Sequence, residues 1–215
     1  LISIVTDLKE THFQRSKDIF AQIKSYPTLL ASLDFWLPTI TFALSFSIFG
    51  IFFIGGPYIA VKVFNLSPTT MGIYLAFPSL GYVLGNVLIS KIANRVSTKR
   101  LMIVGSFILL LGPLSSLILS HFFFHPLSFF LPILIMTFGS GIIWPASNAE
   151  IVKAVPHLAG SASGLGSAIM TLMSSFAAFL TGFYIENLNP IDFVCYFLIL
   201  VGVLSFLSSL LTKSK

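Results

Sequence analysis

The chain has 215 residues, of which 9% are charged and 56% are hydrophobic, and its net charge is +5. So few charges cannot cover the surface of a soluble domain of this size, which excludes a water-soluble globular protein. The cations are spread over several short intervals rather than gathered in one patch, so no nucleic-acid partner is predicted. The ten-residue alternation of polar and apolar residues that is typical of membrane β-barrels is also absent.

Long runs without Asp, Glu, Lys or Arg indicate membrane-spanning helices. Five such runs occupy residues 35–61, 63–90, 101–149, 154–185 and 193–212. Each is long enough for a helix of about 20 residues, and the third is long enough for two, with an interruption at His121–Pro126. The sequence therefore predicts an all-α polytopic membrane protein. Its six spans are expected at about 36–57, 69–90, 101–120, 127–149, 159–184 and 193–212.

Residues 1–34 differ from this bundle, which is predicted to occupy 35–215. Leu1–Val5 are apolar and look like the end of a preceding span, and residues 6–34 carry mixed charges with modest helical periodicity. We expect the latter to be a cytoplasmic linker that can lie on the membrane surface.

The positions of the cations predict the orientation of the chain in the membrane. With six spans, eleven of the twelve Lys and Arg residues fall on one side, and Lys62 falls on the other. Cytoplasmic loops hold the positive excess, so both termini are expected in the cytoplasm. Anionic lipid of the bilayer then becomes a natural partner of these loops.

Glycine and proline predict interruptions of three spans. Gly55-Gly56-Pro57 is expected to end the first span, Gly112-Pro113 to perturb the third, and Gly139-Ser140-Gly141 with Pro145 to break the fourth. Proline lacks the N–H group that a helix interior needs and clashes with the preceding turn.

Small residues at helical spacing predict close helix packing in two spans. In the fifth span they form a small-residue stripe of Gly160, Gly164, Ser167, Thr171, Ser175 and Ala178, and in the second span Gly81 and Gly85 form a shorter one. Small side chains let helix backbones approach each other, which favours association inside a bilayer.

No catalytic group, metal site or cofactor is predicted. His121 and His125 have the i, i+4 spacing of a metal pair, but they flank a short turn and two ligands do not complete a site, so an interfacial role is favoured. The serines have no His–acid pair inside a span, which disfavours an intramembrane hydrolase. Asp34 and Glu150 lie at span ends and are interpreted as interfacial caps rather than proton carriers.

Aromatic and thioether side chains are candidates for the lining of a substrate pathway. Rigid rings and pliable Met side chains suit an apolar pocket of broad specificity, whereas packing against lipid or other helices is the competing interpretation. The candidates are Phe46, Phe49, Phe53, Tyr74, Phe77, Phe138, Trp144, Met170 and Met173.

Three stretches resemble one transporter family. The segment Leu8–Thr11 with Arg15 resembles the entry to the central loop of the bicyclomycin-resistance (Bcr/CflA) branch of the major facilitator superfamily. Gly56–Ile59 followed by Phe64–Thr70 is similar to the passage after the seventh span of that branch. The most specific stretch, Pro145 to Leu165, resembles the passage that joins its spans ten and eleven.

This resemblance implies the C-terminal half of a proton-coupled drug exporter with twelve spans. The expected partners are a small amphipathic drug, protons and a missing N-terminal half, or a second copy of the chain in a homodimer. The expected location is the bacterial inner membrane, with both termini inside. Two six-span halves of such transporters enclose the substrate near the midplane.

One family motif is incomplete in this sequence. The loop pattern G-x-x-x-D-R-x-G-R-R has Asn94 where Asp is expected and Ser97 in place of Gly, while Arg95, Lys99 and Arg100 keep the positive charge. An amide cannot form the charged contact of a carboxylate. We therefore expect Asn94, Arg95, Lys99 and Arg100 to anchor the loop at the membrane rather than to gate transport.

No span has a charged residue at its middle, so the coupling proton is expected to bind elsewhere. A non-transporting membrane fragment or a partner-binding subunit remains the alternative.

Overall fold

The computed structural model describes residues 26–212, except for the side chain of His157, and this part of the chain is nearly all helical. The predicted all-α class is confirmed. Six long helices follow one another: α1 (Leu33–Tyr58), α2 (Pro68–Ile92), α3 (Thr98–Phe122), α4 (Pro126–Ala154), α5 (Ala159–Tyr184) and α6 (Pro190–Leu211). A π-helical segment, Ile59–Val63, extends α1, and a 3₁₀ turn, Pro156–Leu158, precedes α5.

All six helices are long and apolar enough to cross a membrane. Each predicted span lies within the corresponding helix, except that the last one runs one residue past Leu211. The N-terminal segment up to residue 25, with the resemblance at Leu8–Thr11 and the predicted cut span, lies outside the described residues.

Local sequence signals explain where several helices begin. Pro68, Pro126 and Pro190 occupy the first positions of α2, α4 and α6. The fixed φ of proline suits a first helical position, where its missing N–H costs no hydrogen bond. Asn189 caps α6, because its Oδ1 accepts hydrogen bonds from the N–H groups of Ile191 (3.1 Å) and Asp192 (3.4 Å).

The predicted interruptions differ in outcome. The α-helical part of the first helix ends at Tyr58, directly after Gly55-Gly56-Pro57, and a π-helical segment then extends it to Val63. The predicted break of α4 is wrong, because this helix is unbroken through Gly139–Gly141 and Pro145. The third helix likewise runs without interruption through Pro113. In a membrane, neighbouring helices and local adjustments such as a wider π turn can compensate for the N–H group that proline lacks.

Helices α1 and α4 form the centre of the bundle. In the apolar windows of both, 61% of the residues are buried, against 22% in α2 and 17% in α5. Helix α1 contacts α4, α5 and α6, whereas α4 contacts α1, α2 and α3. Helix α2 packs chiefly on α4, and α5 chiefly on α1, so these two helices lie at the periphery.

Glycine allows α2 to approach α4 closely. A Cβ atom at Gly81 or Gly85 would collide with the backbone carbonyl of Leu134 or Phe138, respectively. The contact is reciprocal, because a Cβ atom at Gly141 of α4 would lie 2.5 Å from the carbonyl oxygen of Tyr82. Close backbone approach of this kind brings the side chains beside these glycines into contact with α1 as well.

The ends of the bundle differ in charge. Lys91 lies in the last turn of α2, Arg95 in the α2–α3 turn, Lys99 and Arg100 in the first turn of α3, and Lys153 at the end of α4. We call this the basic end. The opposite end holds Lys62 together with Glu186 and Asp192.

Candidate functional site

Five aromatic side chains from three helices meet in one group, which we call the aromatic cluster: Phe46, Phe49, Phe53, Tyr82 and Trp144. The indole of Trp144 is central, with ring centroids 4.7 Å from Phe46, 5.0 Å from Phe49 and 4.8 Å from Tyr82. Phe53 joins through Phe49, at 5.7 Å, and is itself 65% exposed. The cluster therefore runs from a packed centre at α1 and α4 to an accessible edge.

The position of the cluster is inside the apolar thickness of the bundle. Trp144 lies ten residues before Ala154, the last residue of α4, which places it about 15 Å from the basic end of that helix. Four of the five members, all but Tyr82, are among the residues predicted to line a substrate pathway.

Trp144 has an unsatisfied donor. Its Nε1 atom is buried and has no hydrogen-bond partner among the described residues, and the same is true of the Oγ atom of Ser147, one turn further along α4. Buried donors without an acceptor are uncommon and costly, so such a group usually indicates a missing partner. The other tryptophan, Trp36, donates to the carbonyl oxygen of Leu30 at 2.7 Å.

Tyr82 was missed in the sequence analysis. It directly follows Gly81 and precedes Gly85 by three residues, on the helix that these glycines bring close to α4. An aromatic residue beside two close-packing glycines was the signal that could have identified it.

Tyr74 and Phe77 lie apart from the aromatic cluster, in a second group of rings. Tyr74 contacts Phe77 (6.0 Å) and Phe130 (5.3 Å), near the other end of α4. Phe130 is fully buried. Phe130 is four residues from the start of α4, so this second group of rings lies at a different depth from Trp144.

The remaining three candidates do not share one surface. Phe138 packs beside Ile89, Met102 and Ile142, on the side of α4 that faces α2 and α3. Met173 packs on the largest core cluster and Met170 on a smaller one, and Trp144 packs on both.

A polar contact joins the α4 part and the α5 part of the stretch from Pro145 to Leu165, which is the stretch with the most specific family resemblance. Ser163 in α5 donates a hydrogen bond from Oγ to Oδ1 of Asn148 in α4, at 3.2 Å. The two helices make few other contacts, so this bond is a specific link between them.

A three-residue polar cluster links α3 to α4 at the basic end. The hydroxyl of Thr98 donates to Oε1 of Glu150, and Nζ of Lys153 donates to Thr98 Oγ1 and Glu150 Oε1, each at 3.2 Å. The Glu150 side chain is only 13% exposed. Glu150 therefore connects two helices, a role that the spacing of the sequence did not indicate.

The residues of the incomplete loop motif lie close to this cluster in sequence. Asn94 and Arg95 are exposed in the α2–α3 turn, and Lys99 and Arg100 lie in the first turn of α3. Cations are unfavourable at a helix N-terminus, so helix stability does not explain their presence there. Anchoring to lipid at the inner surface remains their predicted role.

The two histidines are separated by the fold. His125 caps α4, with Nδ1 accepting from the N–H of Leu127 at 3.1 Å. Nδ1 of His121 lies 3.8 Å from Oδ1 of Asp192 at the start of α6, a neighbour that is distant in sequence. Within residues 26–212, no group of three His, Cys, Asp or Glu side chains forms a candidate metal site.

The small-residue stripe of α5 faces away from the rest of the bundle. No described atom lies within 4 Å of a Cβ atom built on Gly160 or Gly164, and Thr171 and Ser175 are exposed. Other small residues, including Ala162, Gly166 and Ser174, occupy the side of α5 that is buried. Close packing of the stripe on another helix therefore requires a surface outside residues 26–212.

Comparison with known families gives one match. The model of the Major Facilitator Superfamily matches residues 4–178, which include α1 to α4 and most of α5. A search of curated proteins found no match.

Proposed function

Because the chain belongs to the major facilitator superfamily, we propose that it is the C-terminal half of a proton-coupled multidrug efflux transporter of the Bcr/CflA type. It exchanges a small amphipathic drug for protons when joined to an N-terminal half. Both termini face the cytoplasm of a bacterial inner membrane, as the charge distribution predicts. The family and the six apolar helices make it a multi-pass membrane protein of a transporter family.

The aromatic cluster is the observation that carries this proposal. Three helices place rings of Phe46, Phe49 and Tyr82 around the indole of Trp144, whose N–H group has no acceptor among residues 26–212. Apolar walls with few polar groups are typical of small-molecule sites. A bound drug supplies the missing acceptor to Nε1 and stacks on the rings.

The same geometry suggests the class of substrate. Aromatic faces attract cations as well as other rings, which favours planar or cationic amphipathic molecules over sugars and other strongly polar solutes. Selectivity among apolar drugs is expected to be low, because apolar contacts distinguish similar molecules weakly.

The exposed helices support the need for an N-terminal half. Helices α2 and α5 are the least buried of the six. Both adjoin central helices, and α5 presents the small-residue stripe with Gly160 and Gly164 free of any described neighbour. A second six-helix unit that covers these faces would enclose the accessible edge of the aromatic cluster at Phe53.

Proton coupling is assigned to the other half. Within the described helices, the carboxylates lie near helix ends: Asp34 in the first turn of α1, Glu150 in the last turns of α4 and Asp192 in the first turn of α6. An ionisable group that carries a proton across the membrane is expected deeper inside a span.

Tryptophan fluorescence can test the proposed drug site, because the chain has only two tryptophans. In the variant Trp36→Phe, all indole emission of the chain comes from Trp144. The chain is assembled with a tryptophan-free variant of the N-terminal half of a Bcr/CflA exporter and titrated with ethidium, a planar aromatic cation.

Saturable quenching is expected in Trp36→Phe and not in Trp144→Phe, which retains Trp36. Quenching that is equal in the two variants, or that does not saturate, would contradict a site at Trp144.

A non-transporting, partner-binding subunit is the second candidate, and the exposed stripe of α5 is the observation that favours it. The variant Gly164→Leu distinguishes the two. Two results together would favour the subunit: the variant no longer associates with a membrane partner, and the unaltered chain does not change drug accumulation in the same cells.

A further inference from the structure

A short connection joins α5 to α6 at the end of the bundle opposite to the basic end, and a half-open groove lies between the two helices there. The groove has a volume of about 530 Å³. Its walls are almost wholly apolar or aromatic, and its polar groups lie at one end. Its lining includes Leu180, Tyr184, Asp192, Phe193, Tyr196 and Leu200.

The dimensions of the groove match one leaflet of a bilayer. Its residues on α6 run from Asn189 to Leu200, a rise of about 16 Å along the helix. Half of the hydrocarbon core is about 15 Å thick. The groove therefore extends from the headgroup level to near the midplane, parallel to the direction of a lipid chain.

Rings form much of its surface. Phe193 is the centre of a row, with ring centroids 6.4 Å from Tyr184 and 6.0 Å from Phe197. Tyr184 and Tyr196 are 45% and 59% exposed and lie near the polar end. Tyrosine at this position is typical of the interface between hydrocarbon and headgroups.

The polar end is negatively charged. Asp192, in the first turn of α6, lines the groove there with its side chain 28% exposed, and Glu186 is in the adjacent α5–α6 connection. Residues 185–192 contain no Lys or Arg. Lys62 lies at this end in the π-helical segment that contacts α6, so the two carboxylates outnumber it. His121, whose Nδ1 lies 3.8 Å from Oδ1 of Asp192, compensates the carboxylate only when the imidazole is protonated. An anionic headgroup is disfavoured at this position, and an ammonium group is favoured.

We propose that this groove is a binding site for phosphatidylethanolamine from the leaflet opposite to the basic end. One acyl chain lies along Leu180, Phe193 and Leu200, and the ammonium group pairs with Asp192. A primary ammonium has three N–H donors for the carboxylate, whereas the quaternary ammonium of phosphatidylcholine has none. The order of preference is therefore ethanolamine over choline over glycerol headgroups. This site is separate from the aromatic cluster and does not depend on transport.

Native mass spectrometry of the full chain tests this proposal. The chain is reconstituted in nanodiscs of equimolar palmitoyl-oleoyl phosphatidylethanolamine, phosphatidylcholine and phosphatidylglycerol, and the lipids that remain bound after release are counted. The unaltered chain is expected to retain phosphatidylethanolamine preferentially. In Asp192→Asn this preference is expected to fall about fivefold, as for the loss of a partly exposed charge pair.

Each variant has a matched control. Glu186→Gln removes a carboxylate of the adjacent α5–α6 connection, outside the groove, and should keep the preference. Leu200→Trp fills the apolar end and should lower retention of all three lipids. Leu204→Trp alters an exposed leucine one turn further along α6, outside the groove, and should not. Unchanged melting in detergent shows that each variant is folded.

Equal retention of the three lipids by the unaltered chain would overturn the proposal, as would an unchanged preference in Asp192→Asn. Retention of a single-chain quaternary ammonium amphiphile, without retention of phosphatidylethanolamine, would also overturn it and would identify the groove as a site for cationic amphiphiles.

Discussion

The indole of Trp144 combines three ring contacts with an N–H group that lacks an acceptor among residues 26–212. The ring contacts hold the indole in place, and the N–H provides one directed polar interaction in an apolar site. Phenylalanine at this position would keep most of the rings in contact and remove only that interaction. The consequences for packing and for ligand binding can therefore be separated at a single residue.

Trp144→Phe is expected to lower the affinity for a drug with a hydrogen-bond acceptor by about tenfold, the effect of one hydrogen bond of about 1.4 kcal/mol. Its effect on stability should be small, because the lost donor is unpaired in the free protein. Binding and thermal unfolding of the chain assembled with an N-terminal half are the measurements. A large loss of stability without a change in affinity would indicate that Trp144 serves packing alone.

Cys195 offers a second test at the residue scale. The side chain is fully buried in α6, and its Sγ atom lies 3.8 Å from Oγ of Ser116 in α3. A maleimide should therefore modify the folded chain only after denaturation. In a Cys195→Ser background, a cysteine at the exposed position of Asn94 should react in the folded state. Rapid labelling of Cys195 in native membranes would contradict the packing of α6 against α3.

Sequence reasoning identified most members of the aromatic cluster but not its boundaries. Phe46, Phe49 and Phe53 recur at helical spacing, which predicts one face, and Trp144 is a conspicuous aromatic on another span. Tyr74, Phe77 and Phe138 satisfy the same pattern and lie elsewhere. Helical periodicity gives the side of a helix, whereas the depth and the facing partner depend on how the helices pack.

At the scale of helices, glycines with the same spacing have different surroundings. Gly85 meets the backbone of α4, whereas Gly164 meets no described atom within 4 Å. Spacing alone predicted close packing for both positions. The difference arises because α2 packs on α4 on its glycine side, while α5 uses Ala162, Gly166 and Ser174 against the bundle.

Gly85→Leu is expected to destabilise the chain by about 3 kcal/mol, because the new side chain has to displace backbone. Gly164→Leu should change stability by less than about 0.5 kcal/mol. Unfolding in mixed micelles with increasing dodecyl sulfate measures both. Association with an N-terminal half should be weakened more by Gly164→Leu than by Gly85→Leu. Equal effects of the two substitutions on stability would contradict the placement of α2 or α5.

The polar cluster of Thr98, Glu150 and Lys153 provides a second comparison between elements. Glu150→Ala leaves the buried end of the cluster without its acceptor, and we expect a loss of about 1–2 kcal/mol. Glu186→Ala, at an exposed position of the opposite end, is the control. The same unfolding assay applies, and an equal response of the two variants would mean that Glu150 does not join α3 to α4.

At the scale of the whole molecule, composition and charge determined much of the architecture. The uncharged runs predicted six membrane helices, because the thickness of the bilayer sets their length. The break at Pro145 was predicted wrongly, since neighbouring helices can stabilise a backbone that proline would break in water. The arrangement of α1 and α4 at the centre, with α2 and α5 outside, depends on tertiary packing and not on any single segment.

This arrangement leaves the aromatic cluster accessible at Phe53 and two helices with large uncovered faces. Both features fit one half of a larger transporter. In the proposed function, the chain supplies part of the drug site and the other half carries the coupling proton.

Proton-dependent ethidium efflux from cells tests this claim most directly. The chain is expressed alone and joined to the first six spans of a Bcr/CflA exporter, and efflux is followed before and after collapse of the proton gradient. We predict efflux only from the joined protein, and its loss in the joined Trp144→Ala variant. Proton-dependent efflux at the same rate from the chain alone would contradict the account.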